Sequence, residues 1–119
     1  MRLRLIAAAF VLAGLALSAP GAELYGKPLR GLTPVSIADL HRQSATYEGK
    51  TVRVRGEVLN EAGSFRIMEG AASLLVTMRG GSALPADATG AAATAEGTFR
   101  SKGPDGTPSL EATGLELTR

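Results

Sequence analysis

The sequence has 119 residues, a length that predicts a single domain. It contains no cysteine, which excludes disulfides, thiolate metal sites and thiol redox chemistry. Its 13 basic and 11 acidic residues give a formal net charge of +2.

The start of the chain has the order of a secretory signal, which is basic, then apolar, then small. The uncharged, apolar run from Leu5 to Leu17 has 13 residues, whereas a membrane-spanning helix needs about 20. We therefore expect residues 1–22 to be a signal peptide for export to the periplasm, with no membrane span left after cleavage. Cleavage after Ser18, after Gly21 and after Ala22 all fit the pattern. A retained anchor and a buried N-terminal helix are the alternatives.

The leader also carries much of the basic character of the chain. Arg2 and Arg4 lie within it, so the remaining residues include 11 basic and 11 acidic side chains. A protein that holds a nucleic-acid backbone normally has a basic excess, because its affinity comes largely from neutralised phosphates. Nucleic acid is therefore an unexpected partner, although a local basic patch stays open.

Residues 23–35 contain two glycines and two prolines and predict an irregular or short extended lead-in. Ser36 and Asp39 then resemble a capping box at a helix start. Ile37 and Leu40 fall on one side at helical spacing, which predicts a short helix over about residues 36–45.

From Lys50 onward, apolar residues recur at every second position, which is the period of a half-buried strand. The pattern predicts five strands, at 51–59, 65–68, 73–79, 91–100 and 109–117, with a loop at 80–90. Glycines at positions 56, 97 and 114 indicate strong curvature, with a bulge at Gly114. We expect a small all-β fold over residues 36–117: a five-stranded OB-fold-like barrel preceded by one short helix. A five-stranded open sheet with one helix is the alternative.

Three segments carry a resemblance to a known group of proteins. They are Tyr25-Gly-Lys-Pro28, Ser36-Ile-Ala-Asp-Leu40 and Tyr47-Glu-Gly-Lys-Thr-Val-Arg-Val-Arg-Gly-Glu-Val58. Together they resemble the start of an uncharacterised family of exported bacterial OB-fold domains. The resemblance extends over about residues 25–117 and implies the same barrel, but it implies little about the ligand.

The sequence departs from that family at its sulfur-bearing positions. Relatives commonly carry a cysteine at the end of the first strand and Gly-Cys-Trp at the start of the second. Here these positions are Leu59 or Asn60, and Gly63-Ser64-Phe65. The metal or redox role of those thiols therefore does not transfer. The chain is also comparable to the periplasmic OB-fold haem chaperone, which uses a C-terminal histidine. The sole histidine here, His41, precedes the barrel, so that role does not transfer either.

Four arginines mark the face on which we expect a ligand. Arg53, Arg55, Arg66 and Arg79 project from the first three predicted strands on the polar phase. OB-fold barrels commonly hold ligands on this face, and a guanidinium binds anions through paired hydrogen bonds. The alternative is that the arginines are solvated outer-face residues, with Glu57 lying across from Arg66 as an ion-pair partner.

We expect no catalytic group, cofactor or metal. His41 lacks a second ligand of metal-binding type and fits a rim or surface role. Phe65 and Phe99 are in phase with apolar neighbours and therefore belong to the core, and Tyr47 fits the barrel mouth. The sequence predicts a non-catalytic periplasmic binding or adaptor module for a small anion, a glycan or a protein partner. An accessory role in envelope metal or redox assembly and single-stranded nucleic-acid binding are the alternatives.

Overall fold

The structure is a computed structural model that describes residues 22–61, 64–81 and 83–118. The expected signal peptide lies outside the described residues, apart from Ala22. The described elements are β1 Ala22–Gly26, α1 Ile37–Arg42, α2 Ser44–Tyr47, β2 Thr51–Glu61, β3 Ser64–Glu69, β4 Ala72–Met78, β5 Ala92–Arg100 and β6 Ser109–Thr118. A short 3-10 turn at Ala86–Ala88 interrupts the loop between β4 and β5.

Strands β2 to β6 close into a barrel. β2, β3 and β4 pair as successive antiparallel neighbours, and β2 also pairs with β5. β5 pairs with β6, and β6 runs parallel to β4, which completes the ring. This is a five-stranded OB-fold-like arrangement, so the predicted all-β barrel is confirmed and the open-sheet alternative is wrong.

Three glycines allow the sharp bends that the barrel needs. A Cβ atom at Gly56 would lie 2.2 Å from the Met68 carbonyl oxygen, where β2 changes its partner from β5 to β3. The register of β5 against β6 shifts between Glu96 and Gly97 and leaves Thr113 as the extra residue. The predicted bulge therefore lies at Thr113, beside Gly114.

The inward side chains of the strands form one hydrophobic core. Its largest fully buried members are Phe99, Ile37, Leu40, Ile67, Leu74, Leu110, Leu115, Leu117, Val54 and Val76. Most follow the predicted period of two along the strands, whereas Ile37 and Leu40 come from α1 and close one end of the barrel. The sequence-based prediction of the interior is confirmed for these positions.

The segment before the barrel contains one strand and two short helices. Its first residues form β1, which pairs antiparallel with β6, so this part of the lead-in takes the short extended form of the two that the sequence leaves open. The predicted single helix is two short helices, because Gln43 leaves helical geometry. The predicted cap is confirmed, since the Ser36 hydroxyl oxygen accepts from the Asp39 N–H at 3.1 Å. Glu69 also accepts from the Ile37 N–H at 2.8 Å and ties α1 to the barrel.

Candidate functional site

The four predicted arginines all lie on the outside of the barrel, but they do not share one site. Arg53 and Arg55 belong to β2, Arg66 to β3, and Arg79 follows β4. Arg53, Arg66 and Arg79 each pair with a carboxylate of the protein itself. These three guanidinium groups are therefore already engaged.

Arg53 belongs to a buried polar cluster around Glu96. Its Nε donates to the Glu96 carboxylate at 2.9 Å, and Glu96 is only 2% exposed. The same carboxylate accepts from three consecutive backbone N–H groups, those of Arg30 (2.6 Å), Gly31 (3.1 Å) and Leu32 (3.0 Å). The cluster fastens the lead-in across the barrel wall.

The electrostatics of Glu96 follow from these contacts. Burial alone raises the pKa of its carboxyl group, because the charged form loses water. The N–H groups of Arg30 and Leu32 and the Arg53 guanidinium outweigh burial and hold the pKa below its ordinary value. Glu96 is therefore a structural carboxylate that stays ionised at neutral pH.

The sequence analysis did not identify Glu96. Its neighbours Ala95 and Gly97 belong to the core pattern, and Glu96 itself falls in the polar phase of β5. The available signal is that Glu96 is the only acidic residue of β5 and stands among alanine, threonine and glycine, where burial would require a dedicated partner.

Arg66 and Arg79 make more exposed ion pairs. Arg66 lies 3.5 Å from Glu61 through Nε and 3.5 Å from Asp105 through Nη2. Arg79 Nη2 lies 3.0 Å from a Glu111 carboxylate oxygen. Asp105 stands in the loop between β5 and β6, so Arg66 links that loop to β3.

The partner that the sequence predicts for Arg66 is wrong. The residue across from Arg66 on β2 is Leu59, whereas Glu57 lies across from Met68. The register differs because β2 continues to Glu61 before it turns, two residues beyond the predicted end of the strand. Arg66 therefore reaches Glu61 instead.

Arg55 is the exception among the four arginines. Its exposed side chain has no hydrogen bond or ion pair within the described ranges 22–61, 64–81 and 83–118. Arg55 lines an open cleft of about 670 Å³ together with Glu57, Leu59 and Met68. We call these four residues the Arg55 surface. Its border is formed by Glu69, Gly70, Thr89 and Gly90.

The remaining candidate residues have structural surroundings. His41 is exposed, and its Nε2 donates to the Ser73 carbonyl oxygen at 2.6 Å. Phe65 and Phe99 are 3% and 0% exposed, and Tyr47 packs against the core. In the part of the chain that the structure describes, no group of three His, Asp or Glu side chains is arranged to hold a metal ion. The same part contains no helix of sufficient length and apolar character to cross a membrane.

Comparison with models of protein families gives no match, and neither does comparison with curated proteins. Among solved structures, the fold is similar to a crystal structure described as an aspartyl-tRNA synthetase from Leishmania major Friedlin. The TM-score is 0.53 at 14% sequence identity, and the match covers 78% of this chain. It covers only 22% of that protein, so the chain corresponds to a part of it. At this level of identity the likeness concerns the fold alone.

Proposed function

We propose that the chain is an exported, non-catalytic binding module that engages a protein partner through the Arg55 surface. The observation that carries the proposal is the exposed guanidinium of Arg55, which has no partner among the described residues. It lines the same cleft as the apolar side chain of Leu59, which is 38% exposed. Protein interfaces are enriched in arginine and methionine at apolar centres, and Met68 lies in the same cleft.

A protein partner fits this surface better than a small anion or a glycan. Glu57 and Glu69 line the cleft together with Arg55, so an anion would meet negative charge on the same surface. The apolar contact that Leu59 and Met68 offer suits side chains of a polypeptide. A partner segment with one acidic residue between apolar residues would complement both features.

Export is the second part of the proposal. It is supported by the basic, apolar and small order of residues 1–22. An accessory role in envelope metal or redox assembly stays a prediction.

Single-stranded nucleic-acid binding is a second candidate, because the fold is similar to part of a protein described as an aminoacyl-tRNA synthetase. The paired states of Arg53, Arg66 and Arg79 weigh against it, as do the buried rings of Phe65 and Phe99. Such sites need exposed aromatic platforms and free cations. Binding of a deoxythymidine 12-mer that weakens steeply with salt would favour this candidate.

The test is a selection of decapeptides by phage display against the folded protein, with affinities measured for wild type, Arg55→Gln and Arg79→Gln. Arg79 is the matched control, because it is an exposed arginine outside the Arg55 surface. We expect selected peptides to carry an acidic residue and to lose about tenfold or more in affinity for Arg55→Gln, as for a hot-spot arginine. Peptides that bind both variants as tightly as wild type would overturn the proposal.

A further inference from the structure

A second concave site lies at the mouth of the barrel, away from the Arg55 surface. It is a cavity of about 470 Å³ between the end of β2, the start of β3, the end of β4 and described residues of the loop that follows β4. We call it the mouth cavity. The described residues that line it are Asn60, Glu61, Ser64, Phe65, Val76, Thr77, Met78, Gly81, Ala83, Leu84 and Ala86. It shares no lining residue with the cleft around Arg55.

The loop that follows β4 is hydrogen-bonded to β2 beside the mouth cavity. The Asn60 side-chain amide donates to the Pro85 carbonyl oxygen at 3.0 Å, and the Asn60 N–H donates to Thr89 Oγ1 at 2.9 Å. The Gly90 N–H donates to the Val58 carbonyl oxygen at 2.9 Å. The cavity is therefore formed before any ligand arrives, which lowers the free-energy cost of binding.

The inner wall of the mouth cavity is apolar. Phe65, Val76, Met78 and Leu84 are each less than one-tenth exposed and form this wall. Apart from Leu84, the described loop residues that line the cavity are small, namely Gly81, Ala83 and Ala86, and they leave its volume open. A volume of this size, with an apolar wall and few polar groups, is typical of small-molecule sites.

The rim of the cavity offers acceptors and a negative charge. Glu61 is the only charged residue among its described lining residues. Arg66 lies 3.5 Å from Glu61 but also 3.5 Å from Asp105, so one guanidinium is shared by two carboxylates. The three groups together carry one negative charge. The Asn60 amide already donates to Pro85, and its Oδ1 has no donor among the described residues.

From these observations we infer that the mouth cavity binds a small organic cation, an amine attached to an apolar ring. The ring lies against the wall that Phe65 and Val76 provide. The ammonium group lies at the rim, where Glu61 and the Asn60 Oδ1 accept its hydrogens. An anion of the same shape would meet the Glu61 carboxylate and is excluded. This inference goes beyond the proposed function and does not depend on it.

Three probes of matched shape test the charge preference: tryptamine, tryptophol and indole-3-acetate. The protein contains no tryptophan, so indole fluorescence reports the probes without protein background. We expect a blue shift on binding, with tryptamine binding tightest and indole-3-acetate weakest. In Glu61→Gln the advantage of tryptamine over tryptophol should fall by about two- to fivefold, the effect of a partly exposed ion pair. Glu116→Gln, on β6 and outside both the mouth cavity and the Arg55 surface, is the control.

Two filling variants test the location. Ala83→Leu and Ala86→Leu place a larger side chain at exposed lining positions, and each should abolish the tryptamine signal. Ala71→Leu makes the same change at an exposed turn outside the cavity and should leave it intact. Amide chemical shifts of the wild type should move at Phe65, Val76 and their neighbours, which tests the site even if a variant fails to fold.

Equal affinity for the three probes, unchanged by Glu61→Gln, would overturn the inferred cation preference. Full binding by a folded Ala83→Leu or Ala86→Leu protein would overturn the location, and so would shifts confined to the Arg55 surface. None of these outcomes bears on peptide binding, so this test and that of the proposed function fail independently.

Discussion

Arg53 Nε lies 2.9 Å from a carboxylate oxygen of Glu96, and the two residues face each other across β2 and β5. The lead-in covers the pair, because the N–H groups of residues 30–32 donate to the Glu96 carboxylate. The Val35 N–H also donates to the Arg53 carbonyl oxygen at 2.8 Å. Arg53, for which the sequence predicts an external anion, thus binds a carboxylate of the protein itself. The barrel uses this pair to position its own N-terminal segment.

Replacing Glu96 should destabilise the protein strongly. In Glu96→Gln, an NH2 group replaces one carboxylate oxygen. The site then loses an acceptor and a negative charge opposite three backbone N–H groups and the Arg53 guanidinium. We expect a loss of about 2–4 kcal/mol in the free energy of unfolding, because buried donors lose their partner. Urea denaturation measures it, with Glu116→Gln on β6 as the control. A loss equal to that of the control would show that the cluster contributes little.

The protein should also become less stable at acidic pH, because protonation removes the charge of the Glu96 carboxylate. The contacts of Glu96 lower its pKa in the folded state, so the unfolded state binds the proton more readily. Its contribution is present above the unfolded pKa and is lost as pH falls through the folded pKa.

We therefore expect the difference between wild type and Glu96→Gln to be largest at neutral pH and to shrink from about pH 5 downward. Urea denaturation at a series of pH values measures this difference. Hydrogen bonds from Ser101 lower the pKa of Glu48, and hydrogen bonds from Thr107 lower the pKa of Asp105. These two groups are present in both the wild type and Glu96→Gln, so their contributions cancel in the difference. A difference that is constant with pH would contradict the assignment to Glu96.

Substitution of Arg53 should lower the free energy of unfolding more than substitution of Arg79. Arg53→Gln leaves the buried Glu96 carboxylate without its charged partner and should cost about 2–3 kcal/mol. Arg79→Gln breaks a pair whose side chains are 59% and 40% exposed, and should cost less than about 1 kcal/mol. Thermal unfolding of the two variants compares them directly. Equal losses would mean that burial does not distinguish the two pairs.

Gly97→Ala tests the close approach of β5 and β6. A Cβ atom there would lie 2.2 Å from the Glu111 carbonyl oxygen, which belongs to the paired backbone and cannot move without breaking the strand contact. We expect a loss of at least about 1–3 kcal/mol or failure to fold. Gly90→Ala is the comparison, because its Cβ meets nothing within 4 Å and only its positive φ of 91° is strained. A smaller loss at Gly97 than at Gly90 would contradict the packing.

The barrel could be predicted because the sequence patterns that specify its strands are local. Val52, Val54 and Val58 alternate with polar residues, and each strand carries such a pattern between turn residues. Gly56 and Gly97 interrupt the pattern at the positions where backbones approach most closely. These features are readable within ten residues of chain.

The site was less predictable because its partners are distant in sequence. Arg53 pairs with a residue 43 positions away, and Arg79 with one 32 positions away. A strand pattern identifies the outward face of each arginine but not the carboxylate that it meets. Among the described residues, Arg55 is the one arginine of the four without a partner, and only the three-dimensional arrangement shows this.

The most direct test of the account is a chemical-shift map of the isotopically labelled wild-type protein titrated with a selected peptide, soluble glycans and a deoxythymidine 12-mer. We predict that the peptide shifts amides at Arg55, Leu59 and Met68, and that the glycans and the oligonucleotide leave this region unchanged. Peptide-induced shifts elsewhere on the barrel, or oligonucleotide shifts at these three residues, would contradict the assignment of this surface to a protein partner.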